Sequence, residues 1–113
     1  MRSKTQISVR VTDGGIVVFD ITGYLTEDSE ADMSTAYDEN ETASKILLNF
    51  DRTSFITSSG FGLIVKLLWK TRNKEQALRV AHPSDQVRRM FNVIGLTRSL
   101  EVFPSEAEAL HGF

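Results

Sequence analysis

FITSSGFG (Phe55–Gly62) stands between two strongly apolar runs, ILLNF (Ile46–Phe50) and LIVKLLW (Leu63–Trp69). The first run is short and continuous, the pattern of a strand buried on both faces. After it the period changes. Phe61, Ile64, Val65 and Leu68 share one helical face, Leu63 and Leu67 lie beside them, and Lys66, Lys70 and Arg72 face outward. The junction is therefore a strand-to-helix turn, with Asp51 to Thr57 a loop or an extension of the strand. A strand feeding a helix that feeds another strand is the repeating unit of a parallel sheet.

Reading outward supports that unit. Upstream, Thr5 to Val11 alternates Ile7, Val9 and Val11 with polar neighbours, and Asp13-Gly14-Gly15 supplies a tight turn into a second strand, Ile16 to Ile21. Gly23 is expected to end it. Thr26 or Ser29 can cap a helix through about Thr42, with acidic residues near its positive end. Only Ala31, Met33, Ala36 and Tyr37 are available to pack there, so a short helix is expected. Downstream, Leu78 to Ala81 is a strand broken by His82-Pro83. Ser84 caps a helix that packs Val87, Met90, Phe91 and Ile94, and Gly95 terminates it. Leu100 to Phe103 is a last strand; Pro104-Ser105-Glu106 opens a final helix with Ala107 and Leu110 to pack. The order ββαβαβαβα predicts one α/β domain over residues 1–113, a mixed and mainly parallel five-stranded sheet backed by about four helices.

The totals narrow the function classes. The chain has 113 residues, 41% of them hydrophobic and 25% charged, with a net charge of -2. That balance suits a globular domain and gives no nucleic-acid footprint. No cysteine is present, which removes disulfides, thiolate metal sites and a cysteine nucleophile. No apolar stretch approaches the roughly 20 residues of a membrane span, and the basic start, MRSKTQISVR, has no apolar run behind it to make a secretory signal. A cytoplasmic location is expected. The charges are uneven: between Arg10 and Lys45 there is no basic residue, while Glu27, Asp28, Glu30, Asp32, Asp38, Glu39 and Glu41 all fall there. Such a stretch is either a solvated helix face or a surface that steers a basic partner.

Enzyme motifs fit FITSSGFG poorly. A dinucleotide loop needs a third glycine where Val65 stands, and neither Ser58 nor Ser59 has the glycine two residues earlier that a nucleophile elbow requires. A P-loop fails for want of glycine-lysine-serine or -threonine. His82 precedes a proline and His111 lies two residues from the last residue; no spacing ties either to Ser58. No catalytic residue, cofactor or metal ligand is assigned. Ser58, at or just before the first helical turn, can instead cap that turn as a structural serine, or act as a switch. Phosphorylation there would add about -1.5 to -2 charges at a helix end that tolerates them. Gly60 and Gly62 would keep the turn slim enough for a neighbouring chain to approach.

Asn49-Phe50-Asp51, followed by Thr53-Ser54-Phe55-Ile56-Thr57-Ser58-Ser59-Gly60-Phe61-Gly62, resembles the central signature of STAS domains, the sulphate-transporter and anti-sigma-factor-antagonist family. There a buried strand leads through a loop into Asp-Ser-Ser-Gly-Leu-Gly and a helix. The resemblance extends to Gly23-Tyr24-Leu25-Thr26, the strand near Val80, Val87-Arg88-Arg89-Met90-Phe91 and Ile94-Gly95-Leu96, in order along nearly the whole chain.

The resemblance implies a bacterial anti-sigma factor antagonist. Unphosphorylated, such a protein binds an anti-sigma factor serine kinase and releases the sigma factor; the kinase phosphorylates the serine matched by Ser58, and a phosphatase restores binding. The kinase would carry the ATP and the catalysis. Thr57, Ser58, Ser59 and Gly60 would form the partner-binding turn, with Glu27 and Asp28 beside it. Thr57 stands where the family has aspartate, so Thr57 and Ser59 are secondary phosphorylation candidates. A STAS scaffold that is never phosphorylated, or a transporter-associated subunit, is the alternative. Oligomeric state is left open.

Overall fold

The computed structural model describes residues 5–113. Its opening hairpin pairs β1 (Gln6–Val11) antiparallel with β2 (Val17–Leu25) around Gly15, whose positive φ of 81° suits glycine. A capped 3-10 turn, Glu27–Ser29, leads into α1 (Glu30–Asp38). Then come β3 (Lys45–Asn49), β4 (Thr53–Ile56), α2 (Ser58–Asn73), β5 (Ala77–Ala81), α3 (Asp85–Val93), β6 (Glu101–Phe103) and α4 (Glu106–Leu110). The strand order is β1-β2-β3-β5-β6, with every pair after the hairpin parallel. The expected mixed, mainly parallel five-stranded sheet and its four helices are therefore present.

Two expectations change at one place. β2 does not stop at Gly23. It runs on to Leu25, because Gly23 adopts a φ of 90° and absorbs a register shift between Gly23 and Tyr24. Residues 53–56 are not a loop; they form β4, a sixth strand off the main path that pairs with the continued end of β2. β3 and β4 thus run successively along one side of β2, and the ends of β2 and β4 arrive together at the start of α2.

The core lies on both faces of the sheet. Ile46, Leu47 and Leu48 of β3 are all fully buried, as a continuous apolar run in a central strand requires. On one face Phe19, Ile21, Leu48 and Val80 pack under α1, α2 and α3 through Met33, Ile64, Leu67 and Phe91. On the other, Ile16, Val18, Leu47 and Ala81 pack under Ala109 of α4. Burial of each such large side chain is worth about 1.5–3 kcal/mol.

Helix details correct the sequence reading. α1 ends at Asp38 rather than near Thr42, and Ala31 is exposed. Ile94 lies just past α3 and is exposed, as is Val93, so the packing face of α3 ends at Met90 and Phe91. In α4 the buried residue is Ala109, not Ala107, which faces solvent. Ser84 and Ser105 cap α3 and α4, and Gly95 takes the left-handed conformation after α3. Among the described residues no helix is long and apolar enough to cross a membrane.

Candidate functional site

The turn at Thr57 is built from residues that hydrogen-bond to the end of β2. Thr57, extended at φ -79° and ψ 170°, is the N-cap of α2, and its Oγ1 accepts from the Gly60 N–H at 3.0 Å. Its own N–H donates to the Leu25 carbonyl at 3.0 Å, and its hydroxyl reaches the same oxygen at 3.4 Å. The cap is therefore Thr57, which corrects the expectation that Ser58 might do that work. Ser58 and Ser59 occupy the first two helical positions with exposed side chains, and neither hydroxyl has a hydrogen-bond partner among the described residues.

Gly60 has a different role from the one expected of it. A Cβ there would stand 2.2 Å from the Leu25 carbonyl oxygen and 3.0 Å from the Ile56 side chain. The close approach is made by β2 of the same chain, not by a partner. Gly62 would meet nothing within 4 Å, so nothing packs against it.

Glu27 and Asp28 are brought to this turn. Thr26 follows Leu25 directly, accepts from the Asp28 N–H at 3.1 Å, and donates its own N–H to the buried Ser29 hydroxyl at 3.0 Å. The 3-10 turn packs beside α2, and both carboxylates are exposed. All six candidate residues, Glu27, Asp28, Thr57, Ser58, Ser59 and Gly60, thus belong to one surface anchored on Leu25, with Gly60 as its buried support. Farther along, Lys66 of α2 pairs with Glu30 of α1 at 2.5 Å and holds its carboxyl below the usual range. The first turn of α2 carries no acidic residue of its own, so beyond the Thr57 cap on the Gly60 N–H the positive dipole end of the helix has no charge partner within the turn.

Two features were not anticipated. Tyr24 and Phe55, register partners on β2 and β4, form a tilted ring pair with centroids 6.1 Å apart and are both exposed, just before the two capped turns. The other is a polar cleft of about 410 Å³ on the sheet face away from α2. In it Arg10 binds both Asp20 and Glu106, and Asn49 donates to Asp20 at 2.8 Å. The Arg10 hydrogen bonds hold the Asp20 carboxyl below its usual range against the opposing effect of partial burial. Asp20 in the middle of the apolar strand VVFDI was the available signal. No hydrogen bond joins His82 or His111 to Ser58, and His82, at a φ of 59°, faces Asp51 instead.

Solved structures share this architecture. A protein of Thermotoga maritima matches with a TM-score of 0.84 at 20% identity, over 93% of this chain and 92% of its own. The Bacillus cell fate determinant SpoIIAA in its phosphorylated form matches with a TM-score of 0.69 at 26% identity, over 94% and 97%. A sulfate transporter family protein from Wolinella succinogenes matches with a TM-score of 0.78 at 20% identity, over 90% and 86%. The STAS domain profile matches residues 6–109. The chain therefore belongs to the STAS domain family, whose members are regulatory rather than catalytic modules.

Proposed function

We propose that this STAS domain is an anti-sigma factor antagonist that binds an anti-sigma serine kinase when unphosphorylated and releases it when Ser58 is phosphorylated. One observation carries the reading: Thr57 makes the cap, so the Ser58 hydroxyl is exposed and uncommitted at the first helical position. A kinase can take it without dismantling the turn. The added charge of about -1.5 to -2 sits at the positive end of α2, which the fold tolerates. Beside Glu27 and Asp28 it makes the surface more acidic, and a partner packed over the turn is repelled. SpoIIAA, a relative of the same fold, is known in both a phosphorylated and an unphosphorylated form, the latter described as an anti-sigma factor antagonist. A phosphatase would restore binding.

The departure at Thr57 fits this reading. Threonine and aspartate both cap helices through a side-chain oxygen, so the exchange keeps the cap while replacing a carboxylate with a hydroxyl that reaches the Leu25 carbonyl. The test is incubation with the anti-sigma kinase and ATP, followed by mass spectrometry and by binding measurements on Ser58→Asp and Ser58→Ala. The expected result is phosphate on Ser58, weakened binding for Ser58→Asp and retained binding for Ser58→Ala. Phosphate absent from Ser58, Thr57 and Ser59 would leave a constitutive STAS scaffold or transporter-associated module, and equal affinities for the two variants would refute the repulsion mechanism.

A further inference from the structure

β1 is the last described strand on its side of the sheet, and its hydrogen-bonding geometry can be worked out. The Thr12 N–H bonds the Ile16 carbonyl at 2.9 Å, which makes that pair a hydrogen-bonded one. In an antiparallel ladder bonded pairs recur every second residue, here at Arg10 with Val18, Ser8 with Asp20 and Gln6 with Thr22. Ile7, Val9 and Val11 therefore point their backbone N–H and C=O groups away from β2, toward the open edge.

The side chains of these same residues lie on the α1 side. Ile7 packs against the core beneath the helices, but Val9 is 39% exposed and Val11 63%. Between β1 and α1 runs a groove of about 270 Å³, floored by Ile7, Val9 and Ala36 and walled by Asp32 and Glu39. Neither carboxylate has an ion pair among the described residues. Arg10, the only cation on β1, points to the opposite face and is committed to Asp20 and Glu106.

We infer that the β1 edge accepts an added strand from a partner protein, an extended segment with Lys or Arg at alternate positions. Its backbone bonds Ile7, Val9 and Val11. The apolar stems of its basic residues cover Val9 and Val11 while their charged heads reach Asp32 and Glu39. Charge selects this occupant over a second copy of the chain. Two β1 edges paired antiparallel about a two-fold axis would bring two α1 helices together on one face. Each carries Asp32 and Asp38 with no basic residue of its own, Glu30 being offset by Lys66 of α2, so the copies repel. The inference uses no residue of the Ser58 turn and stands apart from the phosphorylation reading.

The probe is a capped hexapeptide, acetyl-Lys-Thr-Lys-Thr-Lys-Thr-amide, titrated into the full chain at low salt with amide shifts followed by NMR. The expected outcome is saturable binding with shifts centred on Ile7, Val9 and Val11. Val9→Pro removes an outward N–H without touching the β1–β2 ladder, and should weaken binding about tenfold, as the loss of one or two backbone hydrogen bonds does. D32N/E39Q, which leaves the backbone edge intact, should weaken it similarly, and acetyl-Glu-Thr-Glu-Thr-Glu-Thr-amide should not bind. Absence of binding, binding unchanged by Val9→Pro in a protein with wild-type circular dichroism, or a dimer in sedimentation that Val9→Pro abolishes would each overturn the inference.

Discussion

Gly60 and Gly62 are two residues apart at the start of one helix, and replacing each by alanine should change stability in opposite directions. At Gly62 the added methyl meets nothing within 4 Å, so only backbone preference counts. Alanine is better than glycine in a helix by about 0.8–1.0 kcal/mol, less near a helix end, so Gly62→Ala should stabilise by about 0.5–1 kcal/mol. At Gly60 the same preference applies, but the methyl would stand 2.2 Å from the Leu25 oxygen and 2.8 Å from its carbon. These are backbone atoms and cannot swing aside as a side-chain tip would. Overpacking of this kind costs roughly 1–3 kcal/mol, and moving the carbonyl strains the Thr57 N–H bond it accepts, worth about another 1 kcal/mol. Subtracting the helix gain leaves Gly60→Ala destabilised by about 2 kcal/mol. At the usual unfolding entropy per residue, a domain of this length shifts about 4 °C per kcal/mol, so Tm should fall by roughly 8 °C for Gly60→Ala and rise by about 2–4 °C for Gly62→Ala. Thermal melts followed by far-ultraviolet circular dichroism give both shifts, and urea melts give the free energies. Equal effects of the same sign at the two positions would falsify the claim that β2 fixes the helix start through Gly60.

Thr57→Ala should cost about 1 kcal/mol for the lost cap, whereas Thr57→Asp, which keeps the cap and loses only the long hydroxyl contact to the Leu25 carbonyl, should cost less than Thr57→Ala; chemical denaturation of the two variants decides this. Asp20 has its carboxyl pKa lowered chiefly by Arg10, so its contribution is present above the unfolded value near 4 and is lost as pH falls through the lower folded value. Acid melts should therefore show Asp20→Asn losing less stability below about pH 4 than wild type does. Arg79 lies against the rings of Phe103 and Phe113, and its Nη1 donates to the carbonyls of Ala109 at 3.0 Å and His111 at 3.1 Å. Arg79→Lys cannot reproduce that fork and should cost about 2 kcal/mol, with faster hydrogen exchange confined to residues 105–113.

The sequence showed the order of elements along the chain plainly where pattern and burial coincide. Ile46-Leu47-Leu48 reads as a central strand because all three side chains are needed by a core on both faces. β4 was less legible: Ser54 and Phe55 face solvent, and only Thr53 and Ile56 are buried, so four residues gave too little alternation to tell strand from loop. Its existence depends on β2 continuing through Gly23, a bulge that is a property of two paired strands together. The same limit applies to the site. Ser58 could be located from its neighbours, yet which residue caps the turn depended on the Leu25 carbonyl, 32 residues from Thr57 in sequence. Ala107 and Ile94 were misassigned for different reasons: in α4 the packed residue is Ala109, two positions or about 200° further round the helix, and α3 ends at Val93, so Ile94 leaves the helical face.

The division of work between Thr57 and Ser58 bears on what kind of switch this surface can be. Had Ser58 been the cap, its hydroxyl would have been accepting a backbone N–H of the first turn. Phosphorylation would then have exchanged a structural bond for a charged one and coupled modification to the order of the helix start. With Thr57 in that place, the turn is held by the Leu25 carbonyl, the Gly60 N–H and the Thr57 hydroxyl, none of which a phosphate on Ser58 consumes. Under the proposed function the two states then share one fold and differ in surface charge, so the switch acts on the complex and not on the domain. It follows that Ser58→Asp should alter partner affinity far more than its own Tm. A fall in Tm beyond what a surface substitution usually causes, about 0.5 kcal/mol in stability, would place the effect in the fold instead.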